Sequence, residues 1–205
     1  EMKRYLAGCI FAFIASGSAV AENLNVVSAD YQFMVERKDG RIESCGIHIS
    51  AALQGPESGV LGFQGSINSI YMVDRIPAVL AKAVLVTPQT DTVVRLPLYG
   101  AAYQGDNVDT FKLRQLEGEY QSRMIVAQMD ENPDEFMMLA IGTQSGYRVF
   151  LTADPKKRDL TFKLPSMSDV VGGDSTMSQY LECDSSASES WISEMDEQLR
   201  TMSPE

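Results

Sequence analysis

Hydrophobic and polar positions alternate along the segment from residue 31 to residue 50. Tyr31, Phe33 and Val35 are separated by mostly polar neighbours, a period of two that is typical of a half-buried strand. A turn is expected at Asp39 and Gly40, because glycine adopts positive φ at little cost. The alternation then resumes, with apolar side chains on one face at Cys45, Ile47 and Ile49. Residues 31–50 are therefore predicted to form a β-hairpin.

Short apolar runs continue along the chain, each bounded by Gly, Pro, Asn or Asp. Residues 60–73 are typical of a strand, and Gly62 and Gly65 within it indicate a bulge or a close backbone approach. Residues 78–86 fit either a short helix or a buried strand, and the β-branched residues at their end favour the strand. Further strands are predicted at residues 92–99, 111–116, 123–129, 136–141, 147–152 and 160–164.

Helical periodicity appears only near the end of the sequence. Residues 175–181 are predicted to form a short helical turn that brings Cys183 to the sheet, and the serine-rich residues 185–190 are predicted to be a joint. Ser186 and Glu189 have the spacing of a capping box, which marks a helix start. Beyond it, apolar residues recur every four positions, at Trp191, Met195 and Leu199. The pattern predicts a short amphipathic C-terminal helix.

Together these elements predict an all-β fold class, an antiparallel β-sandwich-like domain with that short helix at its C-terminus. Many short strands at close spacing, without helices between them, favour a sandwich or barrel over a parallel α/β sheet. The sequence has no internal repeat and no long linker that would divide it. Residues 22–205 are therefore predicted to form a single domain.

The first 21 residues have the order of a Sec-type signal peptide. Lys3 and Arg4 precede an apolar run at residues 5–14, and small residues follow up to Ala21. The run is about half the length of a stable membrane anchor, so we expect cleavage after Ala21. A lipobox at residues 6–9 is the competing interpretation, but the apolar core follows that segment instead of preceding it. The short signal and the absence of an Asn-X-Ser/Thr sequon favour a bacterial protein, periplasmic or secreted.

Export also determines how the cysteines are interpreted. Cys9 would leave with the signal peptide, so Cys45 and Cys183 would remain as an even pair in an oxidising compartment. We expect a disulfide between them, which would close a loop over most of the domain and contribute about 4–5 kcal/mol. A metal site or a catalytic thiol is the alternative, and the sequence offers no partners for either.

The chain is strongly acidic, with a net charge of −11. Because Glu1, Lys3 and Arg4 would leave with the signal peptide, the mature chain would carry 15 basic and 27 acidic residues, a net charge of −12. Such a surface repels nucleic acid and anionic lipid. A protein partner with a basic surface is the expected partner, without nucleic-acid binding or stable membrane insertion.

His48 is the only histidine of the chain. It lies on the polar face of a predicted strand beside Ser44 and Ser50. Side chains two residues apart on a strand stand about 7 Å apart, too far for a nucleophile and a base to share a hydrogen bond without help from a neighbouring strand. We interpret His48 as a surface residue and predict no catalytic, metal-binding or cofactor-binding residues.

The densest acidic stretch resembles a calcium loop only in part. Asp130, Asn132 and Asp134 match the first three ligand positions of such a loop. Glu135 and Ile141 then occupy the positions where the loop needs glycine and a bidentate glutamate. We interpret the stretch as a solvated loop.

Two classes of function remain open. The first hypothesis is a non-enzymatic binding module that engages a protein through its acidic surface, a sheet face or a sheet edge, with neutralisation of a toxin or an enzyme as a special case. Trp191, Met195 and Leu199 are the candidate partner-binding residues, although their simpler role is to anchor the helix. The alternative is a hydrolase of envelope glycans that uses paired carboxylates. Those carboxylates would come from distant residues such as Asp74, Glu117, Glu119 or Asp169.

Overall fold

The computed structural model describes residues 21–72, 75–88, 92–105, 110–114, 121–131, 145–153 and 159–202. They form two β-sheets and one long helix, so the predicted mainly β fold with a C-terminal helix is confirmed. A 3-10 turn at Met167–Asp169 precedes helix α1, Gly173–Met202. In chain order the strands are β1 (Glu22–Asn23), β2 (Asn25–Lys38), β3 (Arg41–Gly55), β4 (Gly59–Ile70), β5 (Ala78–Pro88), β6 (Val93–Leu96), β7 (Gly100–Gln104), β8 (Phe111–Leu113), β9 (Ser122–Gln128), β10 (Arg148–Thr152) and β11 (Asp159–Lys163).

The two sheets differ in size. The small sheet has the strand order β1-β11-β10-β7-β8, and the large sheet has the order β2-β3-β4-β5-β6, with β9 also paired to β5. The prediction of a purely antiparallel arrangement is wrong at one point, since β1 runs parallel to β11. The reason is that β1 joins the edge of the small sheet just before the chain crosses into the large sheet.

β2 and β3 confirm the predicted hairpin and extend it in both directions. Asp39 and Gly40 both have positive φ, 50° and 83°, as a tight turn between twisted strands requires. The pairing register shifts between Val26 and Ser28. Such a bulge breaks the alternation of faces, so the first part of β2 gives no strand signal in the sequence.

β5 is an interior strand of the large sheet, and the preference for a strand at residues 78–86 is confirmed. β4 pairs with one edge of β5, while β6 and β9 share the other edge. Val79 and Leu85 on the inner face are buried, and so is Val84 on the outer face. Because Val84 and Val86 on the outer face are buried as well, the segment is apolar almost throughout and hides its period of two.

The other predicted strands coincide with β4, β6, β8, β9, β10 and β11. The strand predicted at residues 136–141 lies outside the described residues. β1 and β7 have no counterpart in the sequence prediction. Both are short and rich in small or polar residues, so alternation cannot be recognised in them.

The inner faces of the two sheets pack through aromatic side chains. Phe63 of β4 meets Phe162 of β11 edge to face, with ring centroids 5.1 Å apart. The Tyr103 hydroxyl crosses the core and donates to the carbonyl oxygen of Lys82 at 2.7 Å. Gly65 permits this approach, since a Cβ there would lie 3.0 Å from the Tyr103 hydroxyl. These contacts support the predicted sandwich-like arrangement.

α1 is one continuous helix of 30 residues. The prediction of a short helix beyond a serine-rich joint is therefore wrong. Ser185 and Ser190 stay within the helix, with their hydroxyls 3.4 Å from the Glu189 and Glu194 carboxylates one turn later. Serine costs a helix interior only about half a kcal/mol, which the burial of one helix face offsets. That buried face contains Thr176, Tyr180, Cys183 and Ala187.

α1 lies on the inner face of the large sheet, against β2 and β3. Cys183 forms a disulfide with Cys45 of β3, and their Cα atoms are 5.9 Å apart, which confirms the predicted bond. One turn from the helix start, the Thr176 hydroxyl donates to the carbonyl oxygen of Tyr31 at 3.1 Å. The helix is thus attached to both strands of the hairpin.

Five tyrosines are buried in the contacts among the two sheets and α1. The Tyr71 hydroxyl donates to the Asp184 carboxylate at 3.0 Å, and the Tyr180 hydroxyl lies 2.9 Å from the hydroxyl of Ser69. Burial raises the pKa of all five phenols, and the charge of Asp184 adds to the rise at Tyr71 and Tyr180. The pKa of Tyr180 is raised to about 12. The five are Tyr31, Tyr71, Tyr103, Tyr147 and Tyr180.

Gly173, the first residue of α1, is packed against the 3-10 turn. A Cβ added there would collide with the carbonyl oxygen of Met167. Gly173→Ala is therefore expected to lower the free energy of unfolding by about 1–3 kcal/mol, because backbone atoms must move. Ser178→Ala, at an exposed position of the same helix, is the control and should change it by less than about 0.5 kcal/mol. Equal effects of the two variants in urea denaturation would contradict this prediction.

Candidate functional site

A groove of about 1180 Å³ lies between the start of β2 and the segment at residues 163–171. We call it the edge groove. The buried side chains of Leu24 and Leu164 line its base. Residues 24–30 form one wall, and the segment that joins β11 to α1 forms the other.

The edge groove exists because the chain changes sheets there. The Leu24 amide still donates to the carbonyl oxygen of Thr161 in the small sheet, at 2.8 Å. The next residue begins β2, which among the described residues is the end strand of the large sheet and pairs with β3 alone. The outer edge of β2 therefore faces the groove, and no strand in the described part of the chain pairs with that edge.

Backbone groups of β2 point into the edge groove. The carbonyl oxygen of Tyr31 accepts a hydrogen bond from Thr176 of α1, so it points away from β3. In an antiparallel pair, the N–H and C=O groups of alternate residues point to the same edge. Those of Ala29 consequently point outward too, beside the bulge at Val27. An edge of this kind can accept an added strand.

The side chains around the edge groove are partly apolar and partly acidic. Val27 is 64% exposed and Val171 is fully exposed. The Asp30 carboxylate accepts a hydrogen bond from the Gln32 amide at 2.7 Å, and the Asp169 carboxylate accepts one from the Ser166 hydroxyl at 2.6 Å. The groove therefore offers apolar contacts beside two carboxylates and one lysine, Lys163.

The predicted partner-binding residues on α1 have different environments. The Trp191 indole N–H donates to the carbonyl oxygens of Met72 and Arg75, at 2.9 Å and 3.1 Å, and so holds the connection between β4 and β5. Met195 is half-buried, and Leu199 is 59% exposed. Trp191 thus makes contacts of the kind that anchor the helix, as the simpler interpretation expects. Partner binding by Trp191, Met195 and Leu199 stays a prediction.

His48 and Ser50 are closer than the strand geometry led us to expect. The Ser50 hydroxyl lies 3.2 Å from His48 Nε2, so the prediction that the two are too far apart to share a hydrogen bond is wrong. The reason is that both side chains lean toward each other on the outer face of β3. Among the described residues, no carboxylate hydrogen-bonds to His48, so the pair lacks the third group that would orient a catalytic base.

The candidate carboxylates and calcium ligands are only partly described. Asp169 lies in the edge groove. The candidates that lie outside the described residues are Asp74, Glu117, Glu119, Asn132 and Asp134. Within the described parts of the chain, no group of three or more His, Cys, Asp or Glu side chains could hold a metal ion. No helix in the same parts is long and apolar enough to cross a membrane.

Comparisons with protein-family models, with curated proteins and with solved structures give no match. The functional inferences below therefore rest on the geometry of this chain. The sequence does not indicate the edge groove, because its walls are residues 24–30 and 163–171, more than a hundred positions apart, and because the bulge conceals the start of β2.

Proposed function

We propose that the protein is an exported, non-enzymatic binding module that holds an extended segment of a partner protein in the edge groove. The outer edge of β2 at residues 25–30, which pairs with no strand in the described part of the chain and lies beside a groove of about 1180 Å³, is the observation that carries the proposal. A guest segment would pair with β2 through main-chain hydrogen bonds and so extend the large sheet. Binding of this type needs none of the catalytic groups of an enzyme.

The edge groove has two carboxylates against one lysine, a balance that favours a guest that is both apolar and basic. Val27 and Val171 offer apolar contacts, while Asp30 and Asp169 offer negative charge. The chain as a whole has a net charge of −11, which speeds encounter with a positively charged partner. Side chains of an added strand alternate between two faces, so we expect apolar and basic residues to alternate along the guest segment.

The proposed location is the periplasm or the cell exterior. The Cys45–Cys183 disulfide is compatible with an oxidising compartment outside the cytoplasm. The signal peptide predicted at residues 1–21 would direct the chain there, with cleavage after Ala21.

Site-specific cross-linking tests the proposal. A photo-reactive phenylalanine analogue at position 27 is expected to cross-link the partner in an envelope extract, and high salt should reduce the yield because the contact is partly ionic. The control carries the analogue at position 93. Val93 and Val27 are 65% and 64% exposed, but Val93 lies on β6 at the opposite edge of the same sheet. Mass spectrometry of the adduct should identify an extended segment that contains basic residues.

A second variant tests strand pairing itself. Ala29→Pro removes an outward N–H at an edge position where the large sheet tolerates proline, so it should abolish the adduct formed at position 27 while the melting temperature stays within a few degrees. Equal adduct yields at positions 27 and 93, or an adduct unaffected by Ala29→Pro, would refute the proposal. The hydrolase of envelope glycans then becomes the preferred function. Among its candidate carboxylates, Asp169 is the one that lies within the described residues.

A further inference from the structure

Helix α1 has an apolar line on a side that does not face the sheet. The face against the sheet is buried at Cys183 and Ala187. Leu181, Ile192 and Leu199 lie on another side and are 48%, 51% and 59% exposed. With 3.6 residues per turn, Ile192 lies about three turns and Leu199 about five turns after Leu181. The three side chains therefore form one line along the helix, about 27 Å long.

The residues along this line have the spacing of a coiled-coil seam. Steps of four and three residues alternate, as they do between the a and d positions of a heptad repeat. We call the residues at these positions the outer seam: Leu181, Ser185, Ser188, Ile192, Met195 and Leu199. The Ser188 hydroxyl also hydrogen-bonds to Tyr71, so the middle of the outer seam lies at the border of the sheet. The seam is a surface of the kind that packs against a second helix.

The helix that carries the outer seam is held in place along its length. Cys183 is cross-linked to the sheet, and the Trp191 indole N–H donates to the connection between β4 and β5. One turn further on, Arg41 Nε lies 3.0 Å from the Glu194 carboxylate. A partner therefore meets a seam that is already ordered, and binding costs little conformational entropy in α1.

A row of carboxylates borders the outer seam on the side away from the sheet. Glu182, Glu189 and Asp196 recur every seven residues, and all three are exposed. They occupy heptad position e, next to the seam, where ion pairs with the partner helix determine which helix binds. Glu189 accepts a hydrogen bond from the Ser185 hydroxyl at 3.4 Å. Within the described part of the chain, none of the three carboxylates belongs to an ion pair.

The charge of α1 disfavours a second copy of the chain as the occupant of the outer seam. Arg200 is the only basic residue of the helix, whereas acidic residues recur along its whole length. Two antiparallel copies would bring the carboxylates at position e together. Two parallel copies would bring Glu189 of one copy close to Asp184 of the other, which lies at position g. Like charges repel in both arrangements, so the complementary occupant is a basic helix.

We propose that the outer seam binds an amphipathic helix of a partner protein, with apolar residues along its own seam and lysine or arginine beside them. Apolar contacts with Ile192 and Leu199 would supply affinity, and the carboxylates at position e would select the basic partner. The inference is independent of the proposed function, because the outer seam and the edge groove share no residue.

Calorimetric titration with a designed peptide tests the proposal. The probe has about four heptads with leucine at positions a and d and lysine at e and g, and its counterpart has glutamate at e and g. Saturable binding of one lysine peptide per chain is expected. The glutamate peptide should bind at least about tenfold more weakly, because it meets the carboxylates of α1 with like charge.

Charge reversal on α1 locates the binding surface. Glu189→Lys should weaken binding of the lysine peptide about fivefold at low salt, since an attraction becomes a repulsion. Glu197→Lys is the matched control, because it makes the same change at an exposed position of the same helix outside the outer seam and outside position e. It should change the affinity by less than about twofold.

Loss of an apolar side chain tests the seam itself. Ile192→Ala should weaken binding of the lysine peptide about tenfold. Val93→Ala, which shortens an exposed apolar side chain on β6, should leave it unchanged. Ala29→Pro should also leave it unchanged, which separates this proposal from strand pairing in the edge groove. A thermal melt of each variant verifies that the fold is retained.

Four results would overturn the proposal. The first is the absence of saturable binding of the lysine peptide, and the second is equally tight binding of the glutamate peptide. The third is an equal loss of affinity in Glu189→Lys and Glu197→Lys, which would place the peptide elsewhere. The fourth is a dimer of the protein in analytical ultracentrifugation that Ile192→Ala dissociates, which would make a second copy the occupant.

Discussion

Raising the pH above 10 is expected to unfold the protein over a narrow pH range. Five buried tyrosines have a pKa raised above the ordinary value of 10.0, because burial penalises the charged phenolate. Their raised pKa favours the folded state below pH 10, where all five are protonated in both states. Above pH 10 the unfolded chain releases these protons while the folded chain keeps them, so stability falls until the folded pKa is passed.

The expected effect is large. Each such tyrosine removes about 1.4 kcal/mol of stability per pH unit between its unfolded and folded pKa values. For Tyr180, whose folded pKa is about 12, the loss between the two values is about 3 kcal/mol. The free energy of unfolding of a domain is only about 5–15 kcal/mol in total. Two or three tyrosines of this kind therefore suffice to unfold the chain near pH 12.

Urea denaturation at a series of alkaline pH values measures this slope, and ultraviolet absorbance reports the phenolates. Tyr180→Phe is expected to make the slope shallower by about 1.4 kcal/mol per pH unit. Ile49→Val, which destabilises a fully buried site by about 1 kcal/mol without changing titration, should lower stability at every pH and leave the slope intact. Absorbance that shows more than three of the eight tyrosines as phenolates before tertiary structure is lost would contradict the prediction, because five tyrosines are buried.

Removing the Cys45–Cys183 disulfide is expected to lower the free energy of unfolding by about 5 kcal/mol. The two cysteines are 138 positions apart, so the bond restricts most of the unfolded domain, and chain-entropy reasoning gives this magnitude for so long a loop. The double variant Cys45→Ala, Cys183→Ala should keep the fold, because Thr176, Tyr180 and Asp184 still hold α1 to the sheet. The measurement is the free energy of unfolding in guanidinium chloride.

Reduced wild-type protein is the matched comparison for that variant, since it loses the cross-link and retains both side chains. Its loss of stability should agree with that of the double variant to within about 1 kcal/mol, the cost of the small cavities. A loss below about 1 kcal/mol in both proteins would show that the cross-link does not restrict the unfolded chain.

The parts of the fold that the sequence predicts depend on local pattern. The hairpin follows from alternation between Tyr31 and Ile49 and from one Asp-Gly turn, and the disulfide follows from two cysteines in a chain with a predicted signal peptide. The continuity of α1 is different. Its serines favour a joint locally, and only the burial of Ala187 and the attachment of Cys183 outweigh that preference.

The edge groove escapes sequence analysis for a related reason. Nothing in residues 25–30 indicates that β2 will be an end strand, because strand order depends on the whole sheet.

The long interval between Cys45 and Cys183 also orders events during synthesis. A chain that emerges from its amino terminus exposes the hairpin long before α1, which covers part of the inner face of that hairpin. Until the 30 residues of α1 arrive, Cys45 lacks its disulfide partner Cys183 and the apolar face around it is open to water. Helix α1 therefore covers that face and closes the cross-link in one step, and a chain cut short before residue 183 would display a reactive thiol within an exposed hydrophobic surface.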